Sequence, residues 1–168
     1  MKASRLRFGM NLWPPFLFAG IRVEEISADY RYARVRMRLR PWNRNFFGTH
    51  FGGSLFAMTD PFWVLLLFNQ LSGEHVVWDQ AGEIEFVAPG RGTVYAEFRL
   101  TDEHVAQVLE QTSGGEKGVD LVRDGRRRAG WGRDRTGEEA GLRAAQARQA
   151  ARACVRPSER FSTFRTAT

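Results

Sequence analysis

The chain has 168 residues, 43% of them hydrophobic and 26% charged, enough for one domain with a packed core and too apolar for a wholly disordered chain. One cysteine, Cys154, excludes an internal disulfide and fits a reducing compartment. The formal net charge of +6 is confined to the end: residues 1–118 hold 13 Lys+Arg and 13 Asp+Glu, residues 119–168 hold 12 and 6, so a basic folded surface for nucleic acid is not expected.

At the start, Lys2, Arg5 and Arg7 precede "MNLWPPFLFAG". This mimics a signal peptide only loosely, because Pro14 and Pro15 interrupt the apolar run and no small-residue cleavage site follows. The longest apolar run, "PFWVLLLF", is far short of the roughly 20 residues of a spanning helix. A soluble cytoplasmic protein without membrane contact is expected. Pro14 and Pro15 are suited to a first helical turn and Gly20 to its stop. "IRVEEIS" then predicts a short strand. "YRYARVRMRLR" predicts a clearer one, with Ala33, Val35, Met37 and Leu39 on one face and Arg34, Arg36, Arg38 and Arg40 on the other. Those arginines suit a solvated sheet face, or contact with an anionic ligand or another subunit.

A loop from Pro41 to Phe51 follows, and then an apolar segment from Gly53 to Leu71. A helix apolar all round is buried all round, which predicts one long central helix. Asp60 lies within it and Pro61 follows directly. Pro61 removes the bond to the Ala57 carbonyl and predicts a kink beside Asp60. "HVVWDQAGEIEFVAP" and "GTVYAEFRL" read as two antiparallel strands joined by a turn at Pro89–Gly92, with Val94, Ala96 and Phe98 on one face. Thr101 or Asp102 then caps a short helical turn. The fold class is α+β, an antiparallel sheet wrapped around a long central helix.

The stretch "NRNFFGTHFGGSLFAMTDP" carries the chemistry. It resembles the active-site segment of the hotdog-fold thioesterases related to the phenylacetate-pathway acyl-CoA thioesterases. Their pattern is roughly N-x-x-G-x-x-H-G-G followed by a helix with an Asp two turns in. Asn45, Gly48, Gly52, Gly53 and Asp60 fall in register. The wording "MNLWPPFLFAGIRV" and "HFGG…MTDP" is similar to an uncharacterised hotdog branch, over Met10 to Gly118. Met10 is accordingly a candidate start. The pattern departs at Phe51, which stands where the catalytic type has His, while His50 sits one position earlier. The resemblance implies a hotdog domain over residues 10–118. It also implies an acyl-thioester, acyl-CoA hydrolase acting as a homodimer or dimer of dimers, with no cofactor and no metal.

In that reading Asp60 activates water or attacks the thioester. Unpaired amides at Gly53 and Ser54 hold the oxyanion, and glycines at Gly52 and Gly53 admit the ligand to the backbone. Gly48 and Ser54 belong to the substrate-binding set. Asp60 lies about 10 Å along the axis from the glycine pair, so the carboxylate of one subunit serves the glycines of the other. The plain alternative is an Asp60 held by backbone amides, with no catalytic part. His50 either orients substrate or caps a backbone group. Asn45 either binds the acyl carbonyl or braces the loop. His75 and His104 are expected to be structural. "GGSLF" is not a nucleophile elbow, and no metal-ligand spacing, P-loop or dinucleotide motif appears. Phe56, Phe62, Trp63 and Phe68 suit core or dimer interface, or an acyl tunnel. The alternative function, favoured by Phe51, is a non-catalytic acyl-CoA or lipid-binding hotdog protein.

Residues 119–168 form an Arg/Ala/Gly-rich tail in which only "VDLV" reads as a strand. "EEAGLRAAQARQAARA" predicts an Ala-rich helix with almost no apolar face. The tail is a disordered basic extension, a surface helix, or the frame-shifted end of a gene whose proper end encoded the remaining strands. An alternating apolar stretch in another frame past Gly118 identifies the last; its absence from both removes that reading. If the tail bound DNA, the binding would be salt-sensitive and confined to residues 119–168.

Overall fold

The computed structural model describes residues 1–71, 75–86, 89–112, 118–123 and 147–157. It opens with α1 (Ala3–Leu12) and α2 (Pro14–Ala19). Pro14 and Pro15 occupy the first turn of α2, and Gly20 ends it in the left-handed region at φ 76°, its N–H donating to the Phe16 and Leu17 carbonyls, as the sequence predicts. Helix α1 adds to that reading. It covers the free edge of β1 (Ile21–Ile26). The Asn11 side chain imitates a neighbouring strand, accepting from the Val23 N–H at 2.8 Å and donating to the Val23 carbonyl at 3.0 Å. Arg7 donates to the Glu24 carbonyl. An edge treated this way is no longer a template for another strand.

Strands β1, β2 (Tyr32–Arg38) and β4 (Thr93–Arg99) form an antiparallel sheet in the order β1-β2-β4. The pairs Ala33↔Phe98, Val35↔Ala96 and Met37↔Val94 put apolar residues on one face, all 4% exposed or less. In β1 the inward residues are Ile21, Val23 and Ile26. That spacing breaks period two, and the sheet absorbs it as a bulge between Val23 and Glu25.

The expected single central helix is instead two: α3 (Gly52–Ala57) and α4 (Phe62–Gln70). The chain between them turns at Met58–Pro61, with Met58 N–H on the Ser54 carbonyl and both Thr59 and Asp60 N–H groups on the Phe56 carbonyl. Pro61 has no N–H to continue the ladder, so the kink expected there is a full break. Leu55, Met58, Phe62, Trp63, Leu66 and Leu67 are buried. Phe62 stacks on Phe98 of β4 with ring centroids 4.9 Å apart, Trp63 meets the same ring edge-on at 5.6 Å, and Phe16 of α2 lies 6.2 Å from Phe62. This aromatic cluster ties helix to sheet. Phe68 is 57% exposed, so α4 is not buried all round.

A second difference concerns β3 (His75–Phe86) and β4. They do not pair with each other as a hairpin. β4 lies beside β2, while β3 belongs to a second sheet of order β3-β6-β5, with β5 at Gly118–Arg123 and β6 at Ala147–Pro157. The reason is at the turn. The Gly92 carbonyl accepts the Leu39 N–H at 2.8 Å and extends the β2–β4 ladder. The expected strand at "VDLV" is present as β5. Residues 147–153, where composition favours a helix, are extended instead. Such a helix has no apolar face to bury, whereas an extended segment finds backbone partners on both β3 and β5. Expectations for residues 124–146 and 158–168 lie outside the described residues.

Helix α5 (Asp102–Thr112) is longer than the expected turn. Thr101 Oγ1 accepts the His104 N–H, and His104 Nδ1 accepts the Thr101 N–H, a reciprocal cap with His in the place of the usual Glu. His104 is thus structural, as the sequence suggests. Among the described residues no helix is long and apolar enough to cross a membrane.

Candidate active site

The loop from Leu39 to Phe51 is built on two asparagines. Asn43 is 3% exposed. Its Oδ1 accepts the Arg40 N–H at 2.7 Å, and its amide donates to the Ala19 and Arg38 carbonyls at 3.0 and 2.9 Å. Its own carbonyl accepts the Phe51 N–H. Its side chain therefore joins α2 to the end of β2, and its backbone carbonyl ties in the entrance to α3. Sequence reading passes over Asn43, because only burial distinguishes it from an ordinary loop residue. Asn43→Ala strands three backbone groups, at about 1 kcal/mol each. It is expected to lower stability by about 2–4 kcal/mol, measured as a drop in urea midpoint with an unchanged m-value.

Asn45 braces the next turn. Its Oδ1 accepts the Phe47 and Thr49 N–H groups at 3.0 and 3.1 Å, and its amide donates to Thr49 Oγ1 and the His50 carbonyl. Its polar atoms are spent within the loop. Gly48 sits in that turn at φ 73°, a conformation that costs other residues about 1–2 kcal/mol.

His50 is 2% exposed. Its N–H donates to the Gly90 carbonyl, and its Nε2 lies 3.0 Å from the Gly92 carbonyl. A carbonyl only accepts, so Nε2 carries the proton. Nδ1 has no hydrogen-bond partner among the described residues. Burial holds the imidazole below its ordinary value of 6.5, and the Gly92 bond pulls weakly the other way. His50 is thus a neutral tie between this loop and the β3–β4 turn.

At the start of α3 the Ser54 N–H is taken by the Phe51 carbonyl at 3.0 Å, and Leu55 shares that carbonyl at 3.1 Å. Ser54 is therefore not the free donor that the sequence suggests. The Gly52 and Gly53 N–H groups have no hydrogen-bond partner among the described residues, so the pair of free amides is shifted back by one residue. Two aromatic rings flank these glycines. A Cβ on Gly53 would stand 2.5 Å from Phe51 Cε1, and one on Gly52 would stand 3.1 Å from Phe86 Cζ. Neither glycine tolerates a side chain without moving a ring. Phe51 and Phe86 are about half exposed, so the amides lie beneath an apolar cover open to solvent. Phe86, distant in sequence, gives no such signal by itself.

Asp60 lies in the turn between α3 and α4 and is partly buried. Its carboxylate has no hydrogen bond or ion pair among the described residues. Burial alone raises its pKa above the ordinary 3.8. Among the described residues no backbone amide donates to its side chain, the contact expected of a purely structural Asp60. Asn45, Gly48 and His50 are thus brought together in one bonded loop leading to the glycine pair. Asp60 stands at the other end of six-residue α3, about 10 Å away along the axis. Among the described residues no group of three His, Cys, Asp or Glu side chains is placed to hold a metal.

Comparison with known proteins bears on the fold. A probable thioesterase of Pseudomonas aeruginosa superposes with TM-score 0.68 at 21% identity, covering 94% of this chain and 97% of that one. A Chlorobaculum tepidum protein of unknown function gives 0.63 at 15% identity over 93% and 94%. A Haemophilus influenzae thioesterase gives 0.57 at 12% identity over 94% and 92%. At these identities the likeness shows the fold, that of the hotdog-type thioesterases, and the resemblance read from the sequence is borne out. No functionally curated protein matches the sequence. The family model for a domain of unknown function, DUF4442, matches residues 3–123, from α1 through β5, and the chain belongs to that family.

Proposed function

We propose that the protein is an acyl-thioester hydrolase acting on acyl-CoA, as at least a dimer, with Asp60 of one subunit facing the Gly52–Gly53 amides of the other. The observation that carries this reading is the Asp60 carboxylate, which has no hydrogen bond or ion pair among the described residues. A partly buried carboxylate without a hydrogen bond costs stability, and an ionisable group with a raised pKa in such a setting suits a general base. Asp60 takes a proton from water as the water oxygen adds to the thioester carbonyl. The carbonyl oxygen becomes an oxyanion and accepts from the Gly52 and Gly53 N–H groups, which are fixed in place before reaction. The intermediate then collapses, the C–S bond breaks, and the thiolate leaves and is protonated. Because α3 separates the two groups within one chain, the reaction needs the second chain. Asn45, Gly48 and His50 position the loop, and Phe51 and Phe86 give the acyl chain an apolar cover beside the amides.

The test is free-thiol release from acyl-CoAs of two to sixteen carbons by the native chain. Turnover that depends on chain length is expected. The other reading, an acyl-CoA or lipid-binding protein, is favoured by Phe51, whose ring lies over Gly53 where the hydrolytic pattern has His. Saturable acyl-CoA binding with no thiol release would establish it instead.

A further inference from the structure

The outer face of the β1-β2-β4 sheet treats its arginines in two ways. At one end each is neutralised. Arg34 lies 3.3 Å from Glu24 and 3.8 Å from Glu97, Arg99 lies 3.4 Å from Glu97, and Arg31, just ahead of β2, pairs with Asp102. Arg34 and Arg99 also lie over the Tyr95 and Tyr32 rings. At the other end a cavity of about 300 Å³ is lined by Gly20, Arg22, Arg36, Arg38, Arg40 and Trp42. Of its four arginines only Arg36 has a carboxylate partner among the described residues, Glu24 at 3.0 Å. Arg22 stands directly opposite Arg36 across the β1–β2 pair, a like-charge pairing beside which Glu24 is the one carboxylate among the described residues, and Glu24 is shared with Arg34. Arg38 stands opposite Thr93 and gains no countercharge there.

This cleft is also held in shape. Asn43 fixes the Arg38 carbonyl and the Arg40 N–H, so the backbone presenting Arg38, Arg40 and Trp42 is set before any ligand arrives. Gly20 at φ 76°, where a Cβ would stand 3.1 Å from the Asn43 amide, leaves its wall without a side chain. The Arg40 guanidinium lies 5.9 Å from the Trp42 ring centroid, and that ring is 66% exposed. Guanidinium groups match phosphate oxygens in forked pairs, and an exposed indole offers a face for a planar base.

We propose that this cleft binds a nucleotide through its phosphate groups, with the base against Trp42. The site stands on its own geometry and does not rest on the hydrolase reading. Calorimetric titration of the full chain with ADP, inorganic pyrophosphate and adenosine tests it. ADP and pyrophosphate are expected to bind saturably and more weakly at high salt, and adenosine far more weakly. The double variant Arg22→Gln/Arg38→Gln alters two exposed side chains with no ion pair among the described residues, and the fold should survive it, as circular dichroism checks. It should weaken ADP binding at least tenfold. Trp42→Ala should weaken ADP severalfold and leave pyrophosphate unchanged. No saturable heat with ADP in a folded sample, or equal ADP affinity in the double variant, overturns the proposal. The source of the nucleotide is separated by kinetics. A rise in KM for acyl-CoA but not for the nucleotide-free acyl-N-acetylcysteamine marks the nucleotide end of the acyl carrier, and an unchanged KM with lost ADP binding marks a free nucleotide.

Discussion

Phe62→Ala is expected to cost about 3–5 kcal/mol, enough to lower the melting temperature by about 10–15 °C in a chain of this size. Phe62 is fully buried. It stacks on Phe98 with an interplanar angle of 21° and approaches Phe16 of α2, so truncation opens a cavity where three elements meet and removes an aromatic pair. It also sits one residue past Pro61, on the first turn of α4. The turn carrying Asp60 is thus anchored from below by this ring. Thermal melting of Phe62→Ala beside Phe46→Ala checks the claim, because Phe46 is 98% exposed and its truncation should move stability by less than about 0.5 kcal/mol. Equal melting temperatures for the two variants would contradict the packing described.

Asp60→Asn is expected to melt higher than the native chain at neutral pH. The sign follows from burial, which raises the folded-state pKa of Asp60. Proton affinity is then greater in the folded state. Stability from this group is complete below the unfolded value near 3.8 and is lost as pH rises through the higher folded value. At pH 7 the charged form is carried at a cost, and Asn removes it. The advantage should shrink as pH falls and vanish below about 3.8. His50 acts in the opposite direction. Its folded pKa is depressed, so its contribution is present above about 6.5 and is lost as pH falls below that. That term is common to both chains and cancels in their difference. A stabilising substitution that abolishes function is the usual mark of a group kept for chemistry.

The strands of the first sheet were legible because alternation fixes both element and face: Val35 and Met37 inward, Arg36 and Arg38 outward. The start and stop of α2 were legible from Pro14, Pro15 and Gly20, since proline and glycine act through local backbone geometry. The hotdog resemblance rested on the spacing from Asn45 to Asp60, which local sequence carries. The division of the central helix was only half legible, as Pro61 forecasts a kink while the apolar run argues for continuity. The pairing of β4 with β2 was not legible, because it depends on Leu39 reaching Gly92 across some fifty residues. The roles of Asn45 and His50 were open for the same reason, and Asn43 gave no signal at all, since a polar loop residue reveals its task only through its partners. The arginine cleft lay between these cases. The alternating arginines were plain, but which of them lack a carboxylate is a property of the assembled sheet.

The central claim is that the Asp60 carboxylate, which has no partner among the described residues, is the reacting group. The most direct measurement is thiol release from acyl-CoA by the native chain and by Asp60→Asn, in samples matched for circular dichroism and oligomeric state. The account predicts a loss of about a hundredfold or more in kcat in a variant that is more stable at neutral pH. Turnover by Asp60→Asn equal to that of the native chain would contradict it.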